Sequence, residues 1–225
     1  MRLLLLRHGQ TPANVLGQLD TAVPGAPLTD LGQKQAAAVP VGLARFAPIE
    51  TITVSTLIRT QLTAAPVAAT LGIDPVILDG LKEIQAGDLE MRNDPESQGL
   101  YNSTAFAWAE GDLDLRMPGA ENGHEFFERF DAAVAEVEAR GGATALIVSH
   151  GAAIRTWAAA RGTHTDGRFA GSHQLDNTGL AVLESTGRRG ERPGRWNLVD
   201  WIGTPVGGEQ LHDRVAEDPT GSGLE

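Results

Sequence analysis

Leu3-Leu4-Leu5-Leu6-Arg7-His8-Gly9 and, far along the chain, Ala145-Leu146-Ile147-Val148-Ser149-His150-Gly151 share one pattern: a short apolar run, one polar residue, then histidine and glycine. Such a run, with no polar alternation, predicts a strand buried on both faces, which belongs to a sheet covered by helices. Strand and helix patterns alternate around these two stretches. Thr51–Val54, Val76–Leu78, Leu180–Leu183 and Trp196–Trp201 read as further strands, the last two flanking a Gly/Arg-rich turn at Gly187–Gly194. Thr29 opens a helix as its N-cap, and Leu57–Leu71 reads as a helix that Pro66 should kink or end. Glu125–Ala139 carries Phe126, Phe127, Phe130, Val134 and Val137 at helical spacing, and Ala152–Ala160 is a short alanine-rich helix. The expected fold class is α/β: a three-layer sandwich with a mostly parallel central sheet and helices on both faces.

No repeat or linker separates two cores, so residues 1–202 are expected to form one domain. A polar segment of weak periodicity, about 88–120, is expected as an insertion on the substrate side. Residues 203–225 are rich in glycine, proline and acid and are expected to be a mobile tail. The 225 residues are 41% hydrophobic and 21% charged, an ordinary globular balance. Lys and Arg number 18 against 29 Asp and Glu, for a net charge of −11, which weighs against nucleic-acid and anionic-membrane partners. The absence of cysteine excludes disulfides, thiolate nucleophiles and cysteine zinc sites, and fits a reducing compartment. Leu3–Leu6 is too short for a signal core or a membrane span. The expectation is a cytoplasmic protein that neither spans nor binds a membrane.

In open α/β sheets the ligand crevice lies beyond the carboxyl ends of the strands. With the two His-Gly strands parallel and adjacent, His8 and His150 meet there. Arg7 precedes the first histidine, and Arg59 sits on the first turn of the helix after Thr51–Val54. The glycine after each histidine permits a sharp turn and a close approach by ligand. Two guanidiniums and two imidazoles suit a phosphoryl group: arginine binds its oxygens bidentately, and neutral imidazole is a competent nucleophile at phosphorus. A carboxyl group is needed to protonate the leaving alkoxide. A single histidine at a strand end is ordinarily structural, and a two-histidine metal site would need a further ligand. His124, His164, His173 and His212 lie in polar segments without ligand spacing, so no metal and no cofactor is expected.

Leu5-Leu6-Arg7-His8-Gly9-Gln10-Thr11-Pro12-Ala13-Asn14 resembles the signature of the histidine phosphatase superfamily, the phosphoglycerate-mutase-like family. The resemblance continues, in order, through Pro27-Leu28-Thr29-Asp30-Leu31-Gly32 and Ser55-Thr56-Leu57-Ile58-Arg59-Thr60. It then runs through Leu81-Lys82-Glu83 with Gly87, Pro118-Gly119-Ala120-Glu121 and Val148-Ser149-His150-Gly151. It implies that His8 becomes phosphohistidine, that Arg7, Arg59 and His150 surround the phosphoryl group, and that Asn14 and Gly151 add contacts to it. Glu83 would protonate the leaving oxygen and then activate water, with Asp88 and Glu90 as nearby alternatives. Glu121 would orient His150 or cap the helix after it. Tyr101 and Trp108, in the inserted segment, line the substrate mouth or pack. The partner implied is a small phosphorylated substrate, and the family's frequent dimers allow a homodimer.

The superfamily contains phosphatases and mutases. Mutases resemble one another in an Arg-Arg pair and a lysine in the inserted segment, whereas Glu90–Pro118 here holds only Arg92 and Arg116 as basic residues. Where mutases often read Asn-Ser after the second His-Gly, this chain reads Ala152-Ala153. Both departures favour a phosphatase over a primer-dependent phosphoglycerate mutase. A non-catalytic phosphate-binding protein ranks third, because no core residue is lost. The loop after Asn14 reads Gln18-Leu19-Asp20-Thr21, a departure from the family's glycine-containing phosphate contact.

Overall fold

The structure, a computed structural model, describes residues 1–46, 48–187, 196–213, 215–216 and 218–221. In chain order the elements are β1 (Arg2–Arg7), α1 (Pro12–Val15), α2 (Asp30–Leu43), β2 (Thr51–Val54), α3 (Ile58–Leu71) and β3 (Val76–Ile77). There follow α4 (Pro95–Glu110), α5 (Gly123–Ala139), β4 (Thr144–Ser149), α6 (Gly151–Arg161), α7 (Gly167–Ser172), β5 (Leu180–Ser185) and β6 (Trp196–Ile202). The strands form a single sheet in the order β3-β2-β4-β1-β5-β6. Strands β1 to β4 run parallel, and β5 and β6 are antiparallel additions. The fold is therefore the expected three-layer α/β type with a mostly parallel sheet.

The four leucines of β1 explain the layers. Side chains alternate along a strand, so Leu3 and Leu5 enter one core with Phe126, Phe130 and Trp157, while Leu4 and Leu6 enter the other with Val39, Leu43 and Val67. Both faces are apolar because both are covered. The register places Leu6 opposite Val148 and Arg7 opposite Ser149, so His8 and His150 leave the same edge side by side. On the other side of β4, Val54 pairs with Val148, which sets Ser55 next to them.

Two local readings differ from expectation. Helix α3 runs unbroken through Pro66; the Leu62 carbonyl that loses its helical donor lies on the exposed face, where water can serve it. The weakly periodic stretch contains a full helix, α4, capped by the Asp94 side chain on Ser97 N with Pro95 at its first position. It lacks an apolar stripe because its buried face mixes Ser97, Asn102 and Thr104 with Tyr101, Phe106 and Trp108. Tyr101 and Trp108 pack, donating to the carbonyls of Ile84 and Leu115. Apart from Gly187, the Gly/Arg-rich turn lies outside the described residues.

Absence of periodicity predicts mobility after residue 202, yet the described residues there run back over the carboxyl edge of the sheet. Gly221 O accepts from Leu175 N, Pro219 O from Asn102 and Val206 N donates to Thr178 O. Backbone pairing and buried polar partners, rather than an apolar stripe, hold this segment.

Candidate active site

The edge delivers His8, His150, Arg7 and Arg59 to one buried cluster. The two imidazole rings lie 5.2 Å apart between centroids. His8 Nδ1 is 2.8 Å from Gly9 O, which only an N–H can satisfy, so the lone pair of the neutral ring is on Nε2. That Nε2 accepts from Arg59 Nε at 3.1 Å. Burial, then Arg59, then Arg7, push the His8 pKa well below its ordinary value, so the ring is uncharged at neutral pH. His150 is depressed in the same way, by burial first and then by Arg59 and His8.

Three buried nitrogen atoms around His8 have no hydrogen-bond partner among the described residues: Arg7 Nε, Arg59 Nη1 and His150 Nδ1. Arg59 Nη1 faces the Asp20 carboxylate at 3.5 Å without an aligned bond. Unsatisfied buried donors are costly, and two guanidinium nitrogens left so, with an unpartnered imidazole nitrogen in the same cluster, define a cup suited to an anion. Asp20 lies in the loop that departs from the family pattern, and its carboxylate borders this cup.

Glu83 is buried beside the cluster at 2% exposure. Its Oε1 accepts from Ile84 N at 2.9 Å and Ala153 N at 2.8 Å, and Oε2 from Ala152 N at 3.2 Å. These bonds favour the anion, but burial outweighs them and raises the pKa above the usual carboxylate range. His8, Asn14, Asp20, Arg59, Glu83 and Thr220 line one small cavity of about 10 Å³. The alternatives lie elsewhere: Glu90 ties down the backbone N–H groups of Thr21 and Ala22, and the Asp88 carboxylate lies against Gly119. Glu121 neither orients His150 nor caps α5, whose cap is Asn122. It forms an ion pair with Arg129 at 2.6 Å, because α5 aims that guanidinium at it.

Other expected contacts are engaged by protein. Asn14 Oδ1 accepts from Thr11 N, and its Nδ2 donates to Asp218 Oδ1 at 3.3 Å. Arg7 Nη1 donates to Leu175 O, and Nη2 reaches Thr220 Oγ1 and the Asp218 carboxylate. The Asp218 carboxylate therefore occupies the position between Arg7 and Asn14. At Gly151 a Cβ would stand 2.5 Å from Thr220 O and 3.0 Å from Arg7 Nε, and at Gly9 2.7 Å from Gly32 O. Protein, not ligand, makes the close approach at both glycines. Arg92 and Arg116 are exposed in pairs with Asp94 and Glu125. Arg155 is buried over the Phe106 ring and donates to the carbonyls of Ala170 and Thr220.

Sequence reasoning missed Arg129, Ser55, Asp218 and Thr220. Arg129 holds the carbonyls of Gly80, Lys82 and Glu83, fixing the segment that carries the buried carboxyl. Of these, Ser55 alone stands within a stretch that resembles the family, Ser55–Thr60. A cavity of about 620 Å³ between Phe127, Asp131, Trp157 and Trp196 holds none of the cluster. Among the described residues no group of three or more His, Cys, Asp or Glu could hold a metal ion, and no helix is long and apolar enough to cross a membrane.

Comparison with known proteins agrees with this fold. The profile of the histidine phosphatase superfamily (branch 1) matches residues 3–199. The PE-PGRS family protein PE_PGRS11 of Mycobacterium tuberculosis is 38% identical over 221 residues, 92% of this chain. The match spans only 37% of that relative's length. A probable phosphoglycerate mutase of Salmonella choleraesuis is 34% identical over 160 residues, covering 68% of this chain and 71% of its own. The native structure of a mycobacterial glucosyl-3-phosphoglycerate phosphatase aligns with a TM-score of 0.73 at 26% identity, over 90% of this chain and 99% of the other.

Proposed function

The chain belongs to the histidine phosphatase superfamily, branch 1, and on that premise we propose that it is a phosphatase that hydrolyses a small phosphorylated metabolite through phosphohistidine on His8. The observation that carries this reading is the lone pair of His8 Nε2 in a buried cluster where two guanidinium nitrogens, Arg7 Nε and Arg59 Nη1, lack a partner among the described residues. Nε2 attacks phosphorus and the alkoxide leaves with the proton of Glu83. The resulting carboxylate then takes a proton from water as that water attacks the phosphohistidine, which restores both groups. Arg7, Arg59 and His150 hold the phosphoryl oxygens, whose charge grows in the transition state. Asn14 and Arg7 reach the phosphoryl group once it displaces Asp218.

Magnitudes require this division. Phosphate-monoester hydrolysis demands accelerations up to ~10²¹, and one general acid supplies only ~10²–10⁴. Preorganised charge and the covalent intermediate supply the rest. The second reading is a primer-dependent phosphoglycerate mutase, favoured by the name of the Salmonella relative. Among the described residues that line the small cavity Arg59 is the one arginine and no lysine is present, which leaves the carboxylate of a phosphoglycerate without a cation of its own there.

The test is a panel of phosphate monoesters, with acid-labile, base-stable label on the protein trapped by quenching. Release of inorganic phosphate, with label on wild type and none on His8→Ala, supports the phosphatase. Isomerisation of 3-phosphoglycerate that depends on added bisphosphate, without net phosphate release, replaces it by the mutase.

A further inference from the structure

Ser55 follows β2 and is fully buried beside the edge residue of β4. Its Oγ lies 2.8 Å from His150 Nε2 and receives the Leu57 N–H at 3.2 Å. A second hydroxyl, Thr60 Oγ1, stands 3.1 Å away. The hydrogen of Thr60 is within reach of two carbonyls, Ser55 O at 3.1 Å and Leu57 O at 2.9 Å, so toward Ser55 it acts as acceptor. The single hydrogen of Ser55 therefore has two destinations, Thr60 Oγ1 or His150 Nε2.

The choice sets what His150 shows to the cup. With the hydrogen on Thr60, the ring donates from Nε2 and turns a lone pair outward at Nδ1. With the hydrogen on Nε2, the ring keeps its own proton on Nδ1. That Nδ1 is buried and unpartnered among the described residues, in a ring 5.2 Å from that of His8. A phosphoryl oxygen repels a lone pair and accepts from an N–H. Burial and the neighbouring arginines oppose a second proton on the ring, so the neutral tautomer has to supply the donor.

Resting on the phosphatase reading above, we infer that Ser55 is a positioning residue for His150: its hydroxyl donates to Nε2 and so holds the ring proton on Nδ1, as a hydrogen-bond donor to the phosphoryl group.

The experiment is nitrogen-15 NMR of histidine-labelled protein saturated with inorganic phosphate, with His150 assigned by difference from His150→Asn. It is run beside the kinetics of Ser55→Ala and Ser55→Thr. Wild type is expected to show a protonated, pyrrole-type Nδ1. Ser55→Ala is expected to lose that signature and about 10- to 100-fold in kcat, with KM moving less than about threefold, and Ser55→Thr to recover most of both. A pyridine-type Nδ1 in phosphate-bound wild type overturns the proposal without any variant. So does Ser55→Ala with normal kcat beside an impaired, bulkier Ser55→Thr, which is the signature of packing alone. A protonated Nδ1 that depends on Ser55, in a wild type that hydrolyses no monoester, overturns the phosphatase reading and leaves the tautomer role in place.

Discussion

Replacing Glu83 by Gln removes one transferable proton and little else. Both bonds on Oε1, from Ile84 N and Ala153 N, survive on an amide oxygen, while the new amide nitrogen meets the Ala152 N–H that Oε2 accepted at 3.2 Å. One lost bond, with two donors left facing, costs about 1–3 kcal/mol, which a domain of this size tolerates. The chemical effect is larger and depends on the leaving group. For an alkyl phosphate, whose alkoxide needs a proton, kcat/KM should fall about 10²–10⁴-fold. For p-nitrophenyl phosphate, whose phenolate leaves unaided, kcat/KM should fall less than about tenfold. Water attack on the phosphoenzyme also loses its base, so p-nitrophenol should appear as a stoichiometric burst followed by slow turnover. Stopped-flow absorbance reads both phases. Wild-type kcat/KM requires His8 neutral and Glu83 protonated. Activity should therefore rise through an acid limb well below pH 6.5, because His8 is depressed, and fall through the raised Glu83 pKa. The Gln variant should lose that falling limb. An equal loss for both esters, or an unaltered pH profile, would refute the assignment of Glu83 as proton donor.

Three further outcomes follow from the same geometry. His8→Ala should abolish phosphoenzyme and lower turnover by at least about 10⁴-fold, since the covalent route disappears; residual activity near wild type in a clean preparation ends the mechanism. Asp218→Ala removes the carboxylate that shares Arg7 and Asn14, so inorganic phosphate should inhibit at roughly tenfold lower concentration; unchanged or weaker inhibition contradicts the competition. His8 and His150 are depressed, so below pH 6.5 the unfolded chain binds protons that the folded chain does not. Stability present above that pH should be lost as pH falls, by about 1.4 kcal/mol per unit for each ring. Glu83, whose pKa is raised, works oppositely, its contribution fading as pH rises from 4.5 through the folded value. Urea titrations should show a shallower slope between pH 6 and 5 in the His8→Asn, His150→Asn double variant, and an identical slope discards the linkage.

Some of this site was legible because it lies where strands end. A run such as Leu3–Leu6 declares a doubly covered strand, parallel strands present their carboxyl ends together, and the residue after each end is fixed by counting. His8, Arg7, His150 and Arg59 were all named by that logic; the β1–β4 register sets His8 beside His150, and Arg59 Nε donates to His8 Nε2. Glu83 could be named by resemblance but not separated from Asp88 and Glu90, because which carboxyl is buried depends on α6 supplying N–H groups and on Arg129 pinning its backbone. Helix α4 was hidden because its buried face mixes polar with apolar residues, and mixed burial leaves no periodic trace.

What the amino-acid order determined alone was local: strand, cap and turn preferences, and the chemistry that each strand end would carry. What only tertiary structure decided was which distant groups compete for the same donors. Thr220 meets Arg7 across 213 positions and Asp218 meets Asn14 across 204. Hydrogen bonds between such segments form only once packing has removed water and brought their polar atoms within 3 or so Å of each other, and no periodicity along the chain encodes that meeting.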